Sequence, residues 1–189
     1  MRIFTLSLGL CLLFLSGCIS TPPPHYFTLN MNPSGRAHPV VNFDIESVEV
    51  AEALQREAIL IMASPTTVEY YASEQWVAGL DELIPRKLAT EWSPKYEDRP
   101  TFGMILSIFS FEQIDTETGA HARVSIGVTI RQPRQSRYSE PLFEKTYTSA
   151  KPTKNDTVNA VVEALSLCLE DIAYEIATDS RTLILNKSP

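Results

Sequence analysis

Between residues 122 and 131 apolar and polar side chains alternate without a break. Ala122, Val124, Ile126, Val128 and Ile130 interleave with Arg123, Ser125, Gly127, Thr129 and Arg131. Successive side chains of a strand point to opposite faces, so this segment has one dry face and one wet face. A sheet built around it needs cover on its dry side alone. The cover is legible near the C-terminus, where Val158, Val161, Val162, Leu165, Leu169, Ile172, Ala173 and Ile176 recur at helical spacing as an apolar stripe. Asp156 or Thr153 is placed to cap that helix.

Other strands surround this one. Residues 102–111 are aromatic and aliphatic, and the polar turn Asp115-Thr116-Glu117-Thr118-Gly119 leads on to the alternating segment. A polar loop over 132–140 precedes a further strand at 142–149. The apolar run 58–63 and the β-branched, aromatic run 67–71 read as a hairpin joined through Ser64-Pro65. Val41, Phe43 and Ile45 alternate with polar residues, and the pattern resumes out of phase at Val48 and Val50, which predicts a bulge near Ser47. Residues 26–29 read as a first strand, and Asn32-Pro33-Ser34-Gly35 as a turn.

From Gln75 the period changes. Trp76, Leu80, Ile84, Leu88 and Trp92 fall at four-residue steps, which predicts an amphipathic helix. Pro85 cannot donate to the carbonyl of Asp81, so a kink or two helical pieces are expected. The order of elements predicts an α+β fold: an antiparallel or mixed sheet of about six strands, covered on one face by two helices, in a single domain. The tail after Ala177, with Leu183-Ile184-Leu185, is too short to classify.

The N-terminus predicts export. Arg2 is followed by an uncharged apolar run over 3–15, several residues short of the roughly 20 that a spanning helix needs. Leu15-Ser16-Gly17-Cys18 then looks like a bacterial lipobox, in which small residues precede a cysteine that is lipidated and becomes the new N-terminus. The expected organisation is a signal peptide over 1–17, a lipidated Cys18 with a proline-rich stalk over 18–24, and a domain over 25–189. More than one acyl chain, palmitate among them, would make the anchor permanent. Pro22, Pro23 and Pro24 favour an extended stalk. Residue 19 is Ile, where an Asp would mark retention at the inner membrane in enterobacterial-type lipoproteins, so the outer membrane, facing the periplasm, is the expected location.

Of three cysteines, Cys11 leaves with the signal and Cys18 carries lipid. Cys168 then has no partner for an intrachain disulfide, and stability must come from a core. Without Arg2, 15 basic residues face 23 acidic ones, a net charge of -8 that argues against a nucleic-acid partner.

The residues suggest no catalytic, metal or cofactor site. His25, His38 and His121 are far apart and at no ligand spacing. Arg123-Val124-Ser125-Ile126-Gly127 lacks the first glycine of a nucleophile elbow, and its serine falls inside a regular strand. Asp81 with Glu82, and Asp115 with Glu117, read as a wet helix face and a solvated turn. Cys168, Trp76 and Trp92 read as core residues.

The chain resembles the PqiC family of ABC-type transport auxiliary lipoproteins, which also contains YmbA-like proteins. The resemblance runs from Leu15-Ser16-Gly17-Cys18 through Tyr26-Phe27-Thr28-Leu29 and Ile45-Glu46-Ser47-Val48-Glu49-Val50. It is strongest over Tyr70-Tyr71-Ala72-Ser73-Glu74-Gln75-Trp76-Val77-Ala78-Gly79-Leu80, and the C-terminal helix fits as well. Two departures are the missing proline and aromatic after Ser47, and Pro85 inside a helix that other members run unbroken. The resemblance implies a non-enzymatic outer-membrane lipoprotein that partners a periplasmic MCE-domain (mammalian-cell-entry-domain) protein and an inner-membrane permease. Such a system moves lipids or other hydrophobic molecules between the membranes, and homo-oligomerisation would suit the role. The alternative is a tethered periplasmic module that binds lipid or a small apolar ligand, which requires a cavity.

Overall fold

The computed structural model describes residues 23–30, 39–132 and 140–185, the last three by backbone alone. Cys18, His38, the predicted turn at 32–35 and most of the loop at 132–140 lie outside the described residues.

The longest strand, β5 (Thr101–Thr116), organises the sheet. Along one side it pairs antiparallel with β6 (Gly119–Arg131), from Thr116↔Gly119 to Gly103↔Arg131. The tight turn between them needs a left-handed residue, and Gly119 supplies it with φ at 122°. The other side of β5 is shared. Its first half takes β2 (Asn42–Val50) in parallel, and residues 112–114 take β3 (Ala58–Ser64), also in parallel. A 3-10 turn at Glu52–Leu54 carries the chain from one partner to the next. β4 (Thr67–Trp76) returns antiparallel to β3, and β1 (His25–Phe27) adds to it in parallel. β7 (Phe143–Pro152) closes the other end, antiparallel to β6. The result is a mixed seven-stranded sheet in the order β1-β4-β3-β5-β6-β7, with β2 beside β5.

Both helices cover one face. α1 (Leu80–Glu91) buries Leu80, Leu83, Ile84 and Leu88, and α2 (Val158–Leu185) buries Val161, Leu165, Leu169, Ile172 and Ile176. Their stripes join the dry row of β6, from Ala122 to Ile130, in one core. Each Val, Leu or Ile fully withdrawn from water contributes about 1.5–3 kcal/mol. Two serines on one side of α2 also tie it to the N-terminal segment: Ser166 Oγ accepts from the Asn30 amide at 3.1 Å, and Ser180 Oγ from the Val40 amide at 3.2 Å.

The α+β class, the mixed sheet and the one-sided helical cover agree with the expectation, and so does the bulge, since the β2–β5 register shifts between Ile45 and Ser47. The shift places the Glu46 carboxylate so close to Gly103 that a Cβ there would lie 2.3 Å from Oε1. Four local expectations need correction. Trp76 ends β4 and does not open the helix; its ring goes into the core beside Phe111 at 5.5 Å, so its four-residue spacing from Leu80 crosses two elements. α1 is not split at Pro85 into two pieces but runs as one helix of 12 residues, because proline removes a single hydrogen bond and flanking Leu83, Ile84 and Leu88 remain packed. The cap of α2 is Thr157, whose Oγ1 accepts from the Ala160 amide at 3.4 Å, while Thr153 bonds instead to the Ala120 carbonyl. α2 also continues through Leu185, so the unclassified tail residues 183–185 are helical.

Candidate docking site at the sheet edge

β7 is a terminal strand, and its pairing to β6 runs from His121↔Pro152 to Ile130↔Phe143 without a register shift. Alternation divides its side chains. Glu144, Thr146, Thr148 and Ala150 are exposed, and register puts them on the helix-free face with Thr129, Gly127, Ser125 and Arg123. Lys145, Tyr147, Ser149 and Lys151 point the other way, under α2.

That second row meets two aspartates eight residues apart on the helix. Asp179 Oδ2 accepts from Lys145 Nζ at 2.7 Å and from Tyr147 Oη at 2.9 Å. Asp171 Oδ2 accepts from Ser149 Oγ at 3.1 Å and lies 2.6 Å from Lys151 Nζ. Burial alone would push the Asp179 carboxyl up, but the hydrogen bonds from Lys145 and Tyr147 outweigh it and hold its pKa below the ordinary value. The hydrogen bond to Asp171, opposed by partial burial, raises Lys151. Burial first, then the bond to Asp179, raises the Tyr147 phenol well above its ordinary value.

The ladder matters for the edge. Exposed edge strands are commonly protected by lysines, prolines or bulges. Here both lysines of β7 are drawn toward the helix, no bulge interrupts the strand, and its one proline is the last residue. Among the described residues no strand pairs with the outer side of β7, and its backbone is a template ten residues long on which an extended segment can add as a further strand.

The helix-free face beside the edge is polar but ordered. Glu112 on β5 has a side chain only 5% exposed and accepts from Arg123 Nε on β6 at 2.8 Å, with a second bond from the same guanidinium. Phe109 is 54% exposed and lies over Gly127, where a Cβ would stand 2.8 Å from its ring. A pocket of about 260 Å³ lies between the start of β2, α1 and the loop that follows α1. Val41, Phe43, Ile45, Pro85, Ala89 and Trp92 give it an apolar wall, and Lys95 and Arg99 stand at its polar side. Asn42 fixes the loop by accepting from the Tyr96 amide and donating to the Tyr96 and Arg99 carbonyls.

The residues weighed for chemistry are not brought together. Ser125 Oγ lies 2.9 Å from Thr148 Oγ1 on the open face. His121 is four residues away along the same strand, about 13 Å, too far to take a proton from it directly. His25 is on β1, 3.7 Å from Glu74. Cys168 is fully buried under β6, and burial raises its thiol pKa, so it is a core residue. Glu82 pairs with Arg86, Asp115 accepts from Gln113, and Glu117 is exposed in the β5–β6 turn. Trp76 and Trp92 are both core, and Trp92 Nε1 donates to the Ala173 carbonyl at 3.3 Å. Among the described residues no cluster of His, Cys, Asp or Glu could hold a metal ion, and no helix is long and apolar enough to cross a membrane. Sequence reasoning missed Asp171, Asp179, Lys145 and Lys151. The only available signal was the appearance of two aspartates beside the α2 stripe and two lysines in phase on β7.

Residues 27–177 match the family model described as the ABC-type transport auxiliary lipoprotein component. The fold is similar to the crystal structure of protein XCC0632 from Xanthomonas campestris, with a TM-score of 0.70, 14% identity and coverage of 86% of this chain and 97% of that one. A second crystal structure, of a protein without an assigned role, aligns with a TM-score of 0.61 at 14% identity, covering 83% and 98% of the two chains. None of the curated proteins matches the sequence.

Proposed function

Because the chain belongs to the family of ABC-type transport auxiliary lipoproteins, we propose that it is a non-catalytic adaptor lipidated at Cys18 and held at the periplasmic face of the outer membrane. The stalk over 18–24 tethers the domain. Its docking edge, β7, receives an extended segment of a periplasmic MCE-domain protein, which connects to an inner-membrane permease and moves lipids or other hydrophobic molecules across the periplasm. The observation that carries this reading is the family match across 27–177, and the open edge of β7 gives it a physical means. A photo-crosslinking residue at Thr148 should trap an MCE-domain protein in intact cells. Recovery of the chain without any such adduct, at Thr148 and along the rest of β7, would sink the proposal. Cys18→Ala should leave the fold intact and abolish function through lost anchoring.

The pocket beside α1 favours a second reading, a tethered ligand-binding lipoprotein. Its volume of about 260 Å³ is below the roughly 300–1,000 Å³ of drug-sized sites, so it suits one short acyl tail or a small apolar molecule and not a whole phospholipid. Native mass spectrometry after gentle extraction should then show a bound species that Ala89→Trp, which fills the pocket, displaces.

A further inference from the structure

Two of the most exposed large hydrophobic residues, Tyr26 at 61% and Val77 at 54%, are neighbours at the β1 edge. Tyr26 pairs in register with Gln75, and the Val77 amide donates to the Phe27 carbonyl at 2.9 Å. Alternation sends Phe27 and Trp76 toward the core and Tyr26 and Gln75 to the opposite face, while Val77, in the bend just past β4, is exposed next to them. Pro23 and Pro24, both exposed, extend the same corner toward the N-terminus.

The position of the corner along the chain says what covers it. Only five residue steps separate Pro23 from Cys18, so at most about 18 Å of extended chain lies between the corner and the lipidated residue. The polar layer of a bilayer is roughly 5–8 Å thick on each side of the hydrocarbon, which leaves the corner within reach of the headgroups. Tyrosine combines an apolar ring with a polar tip, the combination enriched at that depth. Nearby Glu74, the one carboxylate of this register, faces His25 at 3.7 Å.

We propose that the Tyr26–Val77 corner rests on the headgroup layer of the membrane that holds the Cys18 lipid, and that this contact orients the domain. The inference rests on the anchoring proposed above. It stands the sheet with β1 at the membrane and β7 five strand spacings away, about 24 Å, so the docking edge is held clear of the lipid for a periplasmic partner.

The test uses the mature lipidated protein in vesicles of phosphatidylethanolamine with a minority of phosphatidylglycerol. Tyr26→Cys, Val77→Cys and Leu142→Cys each provide a labelling site for a polarity-sensitive fluorophore, since Cys168 is fully buried and Cys18 is blocked by lipid. Labels at 26 and 77 should shift to the blue and lose roughly half their emission or more to a spin-labelled lipid, while the label at 142 stays wet and unquenched. Protein mass reports acylation separately. Acylated protein with labels at 26 and 77 as wet as the one at 142 overturns the inference alone, and protein without acyl mass overturns the anchoring reading and the inference with it.

Discussion

The two ends of the sheet are secured by opposite means. At the β1 end, Phe27 and Trp76 are in register, Trp76 lies edge-on to Phe111, and Leu29 is fully buried, so the closure is apolar. At the β7 end the cover is a charged ladder, with Asp171 and Asp179 of α2 receiving four side chains of the edge strand. An apolar closure needs no particular protonation state and is indifferent to moderate salt. A polar closure responds to both, because its partners are partly exposed and their attraction is screened. The difference also suits the proposed roles: the short strand at the membrane end is fixed in place, and the long strand at the other end keeps its outer backbone open.

Four experiments break or sharpen this contrast. The largest effect belongs to the apolar end: Trp76→Ala should cost about 3–5 kcal/mol of unfolding free energy, read from denaturant midpoints. A loss below 1 kcal/mol would mean that β1 is not fastened by this residue. At the polar end, Asp179→Ala should cost about 1–3 kcal/mol, chiefly because it leaves the buried Tyr147 hydroxyl without its acceptor. Tyr147→Phe removes donor and need together, so the double variant should be little worse than Asp179→Ala alone.

The third experiment is a pH series. The Asp179 carboxyl is lowered in the folded state, so the unfolded chain binds its proton first as pH falls. Its contribution is complete above the unfolded value, about 3.9, and is lost as pH drops through the lower folded value. Lys151 is raised, so its contribution is complete below about 10.4 and is lost as pH climbs through the higher folded value. Asp179→Asn should flatten the acid limb of the stability curve, and an unchanged limb would show that the ladder carries no pH dependence. The smallest effect should come from His25→Ala, which removes an exposed pair with Glu74 and should change stability by less than about 1 kcal/mol.

Local pattern was enough for much of the molecule. The unbroken alternation of β6, the stripe of α2, the hairpin of β3 and β4 and the phase slip in β2 are all written in residues a few positions apart, where side-chain periodicity reports directly on burial. Tertiary structure decided the rest. Trp76 has the spacing of a helix but belongs to a strand, because its register with Phe27 and its packing on Phe111 outweigh the local period. The sharing of one side of β5 by β2 and β3 depends on pairings that cross dozens of residues, which no window of sequence contains. The ladder under the β7 edge joins residues 20 to 34 positions apart, and charge on a helix flank or on a strand is indistinguishable from ordinary surface charge until strand register and helix placement bring the partners within 3.1 Å.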